Sequence, residues 1–119
     1  MVYKGTNIVP ADKCGVWHAR VFHLYRGFNR KVSFIGEFIK VSVRRTKPEN
    51  WLKKKSKSVA FIIRTKKETF KRDGSYVRFK QNSAVLLKKR MTPQGKEVIG
   101  PILYNVKRKK FISSFSGMI

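Results

Sequence analysis

Hydrophobic and polar positions alternate along much of this chain. Ile39, Val41 and Val43 alternate with Lys40, Ser42 and Arg44, the period-two signature of a strand with one buried and one wet face. Trp17, Ala19 and Val21 interleave with His18, Arg20 and Phe22, which predicts a longer strand of about ten residues. Residues 59–63 are apolar at every position and stop at Arg64, so this strand is expected to be covered on both sides. Two more strands are predicted at residues 76–79 and 84–87, separated by the turn-forming Lys80-Gln81-Asn82-Ser83. Five or six short strands with turn punctuation make a mainly β chain and suggest a small barrel, because closure removes exposed strand edges.

Two segments break the pattern. Residues 66–74 are strongly cationic and end in Asp73-Gly74, a strong hairpin tip because glycine accepts positive φ without penalty. This predicts a basic β-ribbon over residues 64–79, projecting from a barrel built from residues 6–100. The tail at residues 101–115 spaces Ile102, Leu103 and Val106 at rough helical intervals, followed by Phe111, Ile112 and Phe115. One or two short C-terminal helices are expected there, ending near Gly117. Phe22, Phe38, Phe61 and Phe79 are expected in the core, and Gly15, Gly36 and Gly74 in turns. No internal repeat or linker divides the 119 residues, so one domain is expected.

Composition turns this outline towards a function. The 41% apolar content is enough for a core, since a chain of this size buries roughly 65% of its unfolded surface. Lys and Arg together number 29 against 6 acids, a net charge of +23. So much self-repulsion is relieved by a polyanion, and the release of condensed counterions from nucleic acid is the usual source of the gain. A membrane-active cationic protein is the rival from another class. The aromatic residues lie among the charges rather than on one helical stripe, which favours nucleic acid and no membrane partner. The start, Met1-Val2-Tyr3-Lys4, reads as neither a secretory nor an amphipathic import leader, so a leader is either unneeded or already removed.

Catalytic chemistry finds little support. Asp12, Glu37, Glu49, Glu68, Asp73 and Glu97 are scattered, without paired carboxylates, a phosphate-cradling glycine loop or a nucleophile elbow. His18 and His23 fall on opposite faces of a regular strand and cannot share a metal there, and the lone Cys14 forms no internal disulfide. No catalytic residue, metal or cofactor is therefore expected. The cations, by contrast, recur in five clusters, at 44–45, 53–57, 66–72, 88–90 and 107–110. The expected RNA contacts are Arg44, Arg45, Lys53, Lys54, Lys55, Arg64, Lys66, Lys67, Arg72, Arg78, Lys88 and Lys89. Such residues grip phosphates and so position the protein. Phe70 and Trp51 are the aromatics expected to touch RNA or a neighbouring protein.

Several fragments then agree in order and spacing. Val59-Ala60-Phe61-Ile62-Ile63-Arg64-Thr65-Lys66-Lys67, Asp73-Gly74-Ser75-Tyr76-Val77-Arg78-Phe79 and Asn82-Ser83-Ala84-Val85-Leu86 resemble the signature of the universal large-subunit ribosomal protein fourteen family. Asp12-Lys13-Cys14-Gly15-Val16, Ile35-Gly36-Glu37-Phe38-Ile39 and Ile99-Gly100-Pro101-Ile102 resemble three further motifs of that family, so the likeness runs from Thr6 to Ser114. The chain departs from the pattern at Phe61, where the family has a small aliphatic residue, and in the region after Gly95. The resemblance implies a closed five-stranded barrel, and partners comprising large-subunit rRNA, small-subunit rRNA through bridges, neighbouring large-subunit proteins and a silencing factor that blocks subunit joining. The Lys-rich divergence, 19 Lys to 10 Arg, suits an organellar ribosome, of the mitochondrial matrix, with plastid stroma or bacterial cytoplasm as alternatives. A free small-barrel RNA chaperone is the alternative function.

Overall fold

In the computed structural model, residues 2–11, 15–25, 31–47, 56–87 and 100–101 are described. Five strands close a barrel in the order β2 (Asn7–Pro10), β3 (Val16–Leu24), β5 (Phe38–Thr46), β6 (Lys57–Arg64) and β9 (Ser83–Leu87). A short pair, β1 (Val2–Tyr3) with β4 (Val32–Ser33), lies beside it, and β7 (Thr69–Phe70) pairs with β8 (Tyr76–Val77) as a separate ribbon. The expected mainly β barrel with a projecting basic ribbon is therefore present. The expected C-terminal helices fall outside the described residues, as do Asp12, Cys14, Trp51 and the cation cluster at 107–110.

Closure depends on the one barrel strand that the hydrophobic pattern does not announce. Strand β2 is antiparallel to β3, with Ile8 opposite Ala19, and parallel to β9, with Pro10 opposite Ala84. A proline normally interrupts a ladder because it has no N–H. Here the amides of Val9 and Ala11 donate to the carbonyls of Asn82 and Ala84, at 3.1 and 3.0 Å. Pro10 sits between these two donors, where the ladder asks nothing of its nitrogen.

The barrel interior is filled by inward residues from every strand, among them Ile8, Val21, Ile39, Val41, Ile62 and Leu86. Strands β6 and β9 are buried on their other face too, where Phe61, Ile63, Val85 and Leu87 pack with Ala11 and the partly buried Ile35, Phe38 and Val59. The unbroken apolar run at 59–63 is thus a strand between two apolar layers, as its pattern predicts. Phe61 meets Phe38 edge-on across the β5–β6 pair, with ring centroids 5.2 Å apart. That contact houses the bulky ring of Phe61.

The longest strand departs from simple alternation. The β3–β5 register passes over Trp17 and Phe22 on β3 and over Arg44 on β5, so each is an extra residue at a bulge. A bulge turns two neighbouring side chains to the same side. Val16, Ala19, Val21 and Leu24 face inward, while Trp17 with His18, and Phe22 with His23, all face out. Two expectations are corrected by this geometry. Phe22 is 40% exposed rather than in the core, and the two histidines share the outer face instead of dividing between faces.

Candidate nucleic-acid interface

The ribbon is fastened to the barrel by backbone and short polar side chains. Thr65 is buried where β6 leaves the barrel; its hydroxyl donates to the carbonyl of Lys67 at 3.0 Å, and its own carbonyl accepts from the amide of Phe79 at 3.1 Å. On the facing side, the Lys66 amide donates to Oδ1 of Asn82 at 3.0 Å. These bonds tie both legs of the ribbon to the β6–β9 end of the barrel. Lys66, Lys67, Arg72 and Arg78 are consequently displayed on a fixed stalk, all four exposed.

The tip has its own lock. Gly74 has φ +91°, in the left-handed region that glycine favours, and its amide donates to the Lys71 carbonyl at 3.2 Å. Oδ1 of Asp73 accepts from the Ser75 hydroxyl at 2.6 Å and the Ser75 amide at 3.0 Å. Those bonds, the hydroxyl first, lower the Asp73 pKa below its ordinary value. A depressed carboxylate pKa stabilises the turn above the unfolded pKa, and the gain disappears as pH falls through the lower, folded value. The Ser75 amide shift in NMR should therefore stay constant at neutral and mildly acidic pH and move only at pH below about 4. In Asp73→Ala that titration should vanish.

Just behind the tip, Phe70 and Tyr76 are opposite each other across the ribbon, 71% and 59% exposed, their rings in edge contact at 6.2 Å. Glu68 is 4.0 Å from Arg78, an exposed ion pair worth little to stability. Phe70, the aromatic expected to touch RNA or a neighbouring protein, is thus placed with its ring open to solvent.

The other candidates divide. Arg44 and Arg45 are both exposed, the β5 bulge at Arg44 turning two consecutive cations to the surface. Arg64 is different: it is half-buried, and desolvation lowers its pKa. Its guanidinium lies so close to Gly100 (φ +89°) that a Cβ there would overlap Nη1 and come within 2.9 Å of Cζ. Gly100 stands in the sequence only as part of a motif, whereas in the fold its missing Cβ leaves room for the Arg64 guanidinium. Gly100→Ala should cost about 2 kcal/mol, from the left-handed backbone and the displaced guanidinium together. Urea denaturation should show it, with Arg64→Ala relieving part of the loss in the double variant. Lys53, Lys54, Lys55, Lys88 and Lys89 fall outside the described residues.

The acids that are described sit away from the strand surfaces. Glu37 accepts from the Phe34 amide in a turn at 3.1 Å, and Glu68 and Asp73 belong to the ribbon. Strands β3, β5 and β6 contain no acid at all. Among the described residues, no three His, Cys, Asp or Glu side chains are grouped to hold a metal ion. The arrangement can grip an extended array of phosphates.

Comparison with known proteins identifies the family. The family model described as ribosomal protein L14p/L23e matches residues 1–117. A large ribosomal subunit protein, uL14m of Tetrahymena pyriformis, is 53% identical over 119 residues, all of both chains.

Proposed function

Because the chain belongs to the ribosomal protein L14p/L23e family, we propose that it is held on rRNA by the cations of its ribbon and barrel rim. It is a structural, non-enzymatic constituent of the large ribosomal subunit. The observation that carries the RNA reading is the anchored ribbon. Lys66, Lys67, Arg72 and Arg78 are exposed on a stalk whose base is fixed at Thr65 and Asn82, so the backbone that carries them is held before binding. A backbone held in advance removes the loop-ordering cost of meeting phosphate, and an anchored ribbon suits the fixed surface of folded RNA. Duplex RNA hides its major groove, so recognition is by shape, phosphate and 2′-hydroxyl rather than by base edges.

Arg44 and Arg45 extend the contact along the barrel, and Lys53, Lys54, Lys55, Lys88 and Lys89 are proposed as further RNA contacts on the strength of their charge alone. Contacts with neighbouring large-subunit proteins, bridges to small-subunit rRNA and docking of a silencing factor are extended from the family resemblance. The relative's identity supports a mitochondrial ribosome as the place of work. Ultraviolet crosslinking of the assembled particle tests the RNA assignment. Crosslinks from the ribbon to large-subunit rRNA are expected, and a ribbon crosslinked to protein alone would overturn it.

A further inference from the structure

The outer face of β3 carries two exposed rings that the ribbon mechanism does not use. Trp17 is 53% exposed and Phe22 40%, and both are presented by the bulges that break the β3–β5 register. Bulges recur at barrel rims and beside functional sites, where they re-aim a side chain. Between the rings, Arg20 on β3 lies opposite Ser42 on β5, which in turn lies opposite Lys57 on β6. A row of polar and cationic side chains thus crosses the strands between two aromatic ends. Lys57 Nζ stands 5.8 Å from the centroid of Phe22, within cation–π reach of that ring.

We infer that this face is a stacking platform for unpaired RNA nucleotides, with bases on Trp17 and Phe22 and the intervening phosphates over Arg20 and Lys57. The inference rests on the RNA-binding reading and adds to it a second, chemically different surface. Charge chooses the occupant. No acid lies on β3, β5 or β6, and Arg44 and Arg45 flank the Trp17 end, so a polyanion is favoured over an apolar protein surface. The rings then choose between forms of RNA, because a duplex offers phosphates and hydroxyls but keeps its base faces stacked. Five residues of strand separate the two rings by about 15 Å, leaving room for backbone to pass over the cations between them.

Trp17 supplies its own reporter once the second tryptophan is removed. In a full-length Trp51→Phe chain, a mixed-sequence, unstructured oligoribonucleotide should quench the Trp17 emission, and a blunt RNA duplex with the same number of phosphates should not. Trp17→Ala and Phe22→Ala should each weaken binding of the oligoribonucleotide about 10-fold and leave duplex binding within about twofold. Trp17→Phe should keep most of the affinity. Circular dichroism melting establishes that each variant is folded, which the exposure of both rings leads us to expect. Single-strand binding without quenching, or equal losses on both RNAs, would overturn the platform while leaving the RNA-binding reading intact. Full single-strand affinity in Trp17→Ala, with loss of a neighbouring protein from the particle, would overturn it in favour of a protein contact. A wild-type chain that bound neither RNA would overturn the RNA-binding reading as well.

Discussion

Phe61→Ala should lower stability by about 3–5 kcal/mol, the usual cost of emptying a ring-sized site in a packed core. Phe61 is fully buried on β6, the strand that lies between two apolar layers. Its neighbours Ala60 and Ile62 point into the barrel, while its own ring fills the outer layer with Ile63, Val85 and Leu87. Phe38 meets it edge-on at 5.2 Å, an arrangement that adds about 0.5–1.5 kcal/mol beyond area burial. Since β6 pairs with both β5 and β9, collapse into the void would have to bend the centre of the sheet. Small domains have only about 5–15 kcal/mol in total, so this one change removes a large share. Thermal unfolding of the free chain should shift down by about 15 °C, while Phe61→Leu should cost far less. A variant melting within about 4 °C of wild type would mean that the ring is not part of a packed layer.

The second large effect concerns binding. Replacing Lys66, Lys67, Arg72 and Arg78 together by Gln should weaken binding to large-subunit rRNA by about 10²- to 10³-fold at physiological salt. Each phosphate contact releases close to one counterion, worth about 1 kcal/mol at that salt. The slope of log affinity against log salt should become shallower by about three. All four side chains are exposed, and the bonds anchoring the ribbon use backbone, Thr65 and Asn82, so the fold should be untouched. Loss of the exposed Glu68–Arg78 pair should matter little. Filter binding over a salt series measures both quantities. A slope equal to that of the wild type would show that the ribbon does not touch phosphate.

What the sequence made legible follows from how local each cause is. Alternation at Ile39, Val41 and Val43, and the unbroken run at residues 59–63, are direct imprints of one-sided and two-sided burial, and both strands are present as read. Asp73-Gly74 announces its turn because its conformation is set within a few residues. Strand β2 was hidden because it is short, carries Pro10 and is defined by partners far along the chain. Bulges are also non-local: the extra residues at Trp17 and Phe22 exist only relative to β5. Simple parity therefore places Trp17 with the inward Ala19 and Val21 and the histidines on opposite faces, while Phe22 reads as core only for being apolar.

The candidate interface shows the same division. Its cations were legible as a set, because charge in clusters reads directly from the chain. Their individual roles were not, since Arg64 differs from Lys66 and Lys67 through its burial beside Gly100, nearly forty residues away. Exposure of Trp17 likewise depends on a bulge that no local pattern encodes. The acid-free outer strands were visible in the sequence, yet their meaning emerged only once β3, β5 and β6 were adjacent in one sheet.

The central claim is that this barrel and its ribbon work as a fixed part of a large ribosomal subunit held through RNA. Sedimentation of native ribosomal particles, before and after a high-salt wash and before and after ribonuclease, tests it most directly. The chain should travel with the large subunit, persist through the salt wash and leave only when the RNA is digested. A chain confined to light, RNA-free fractions before any treatment would contradict the account.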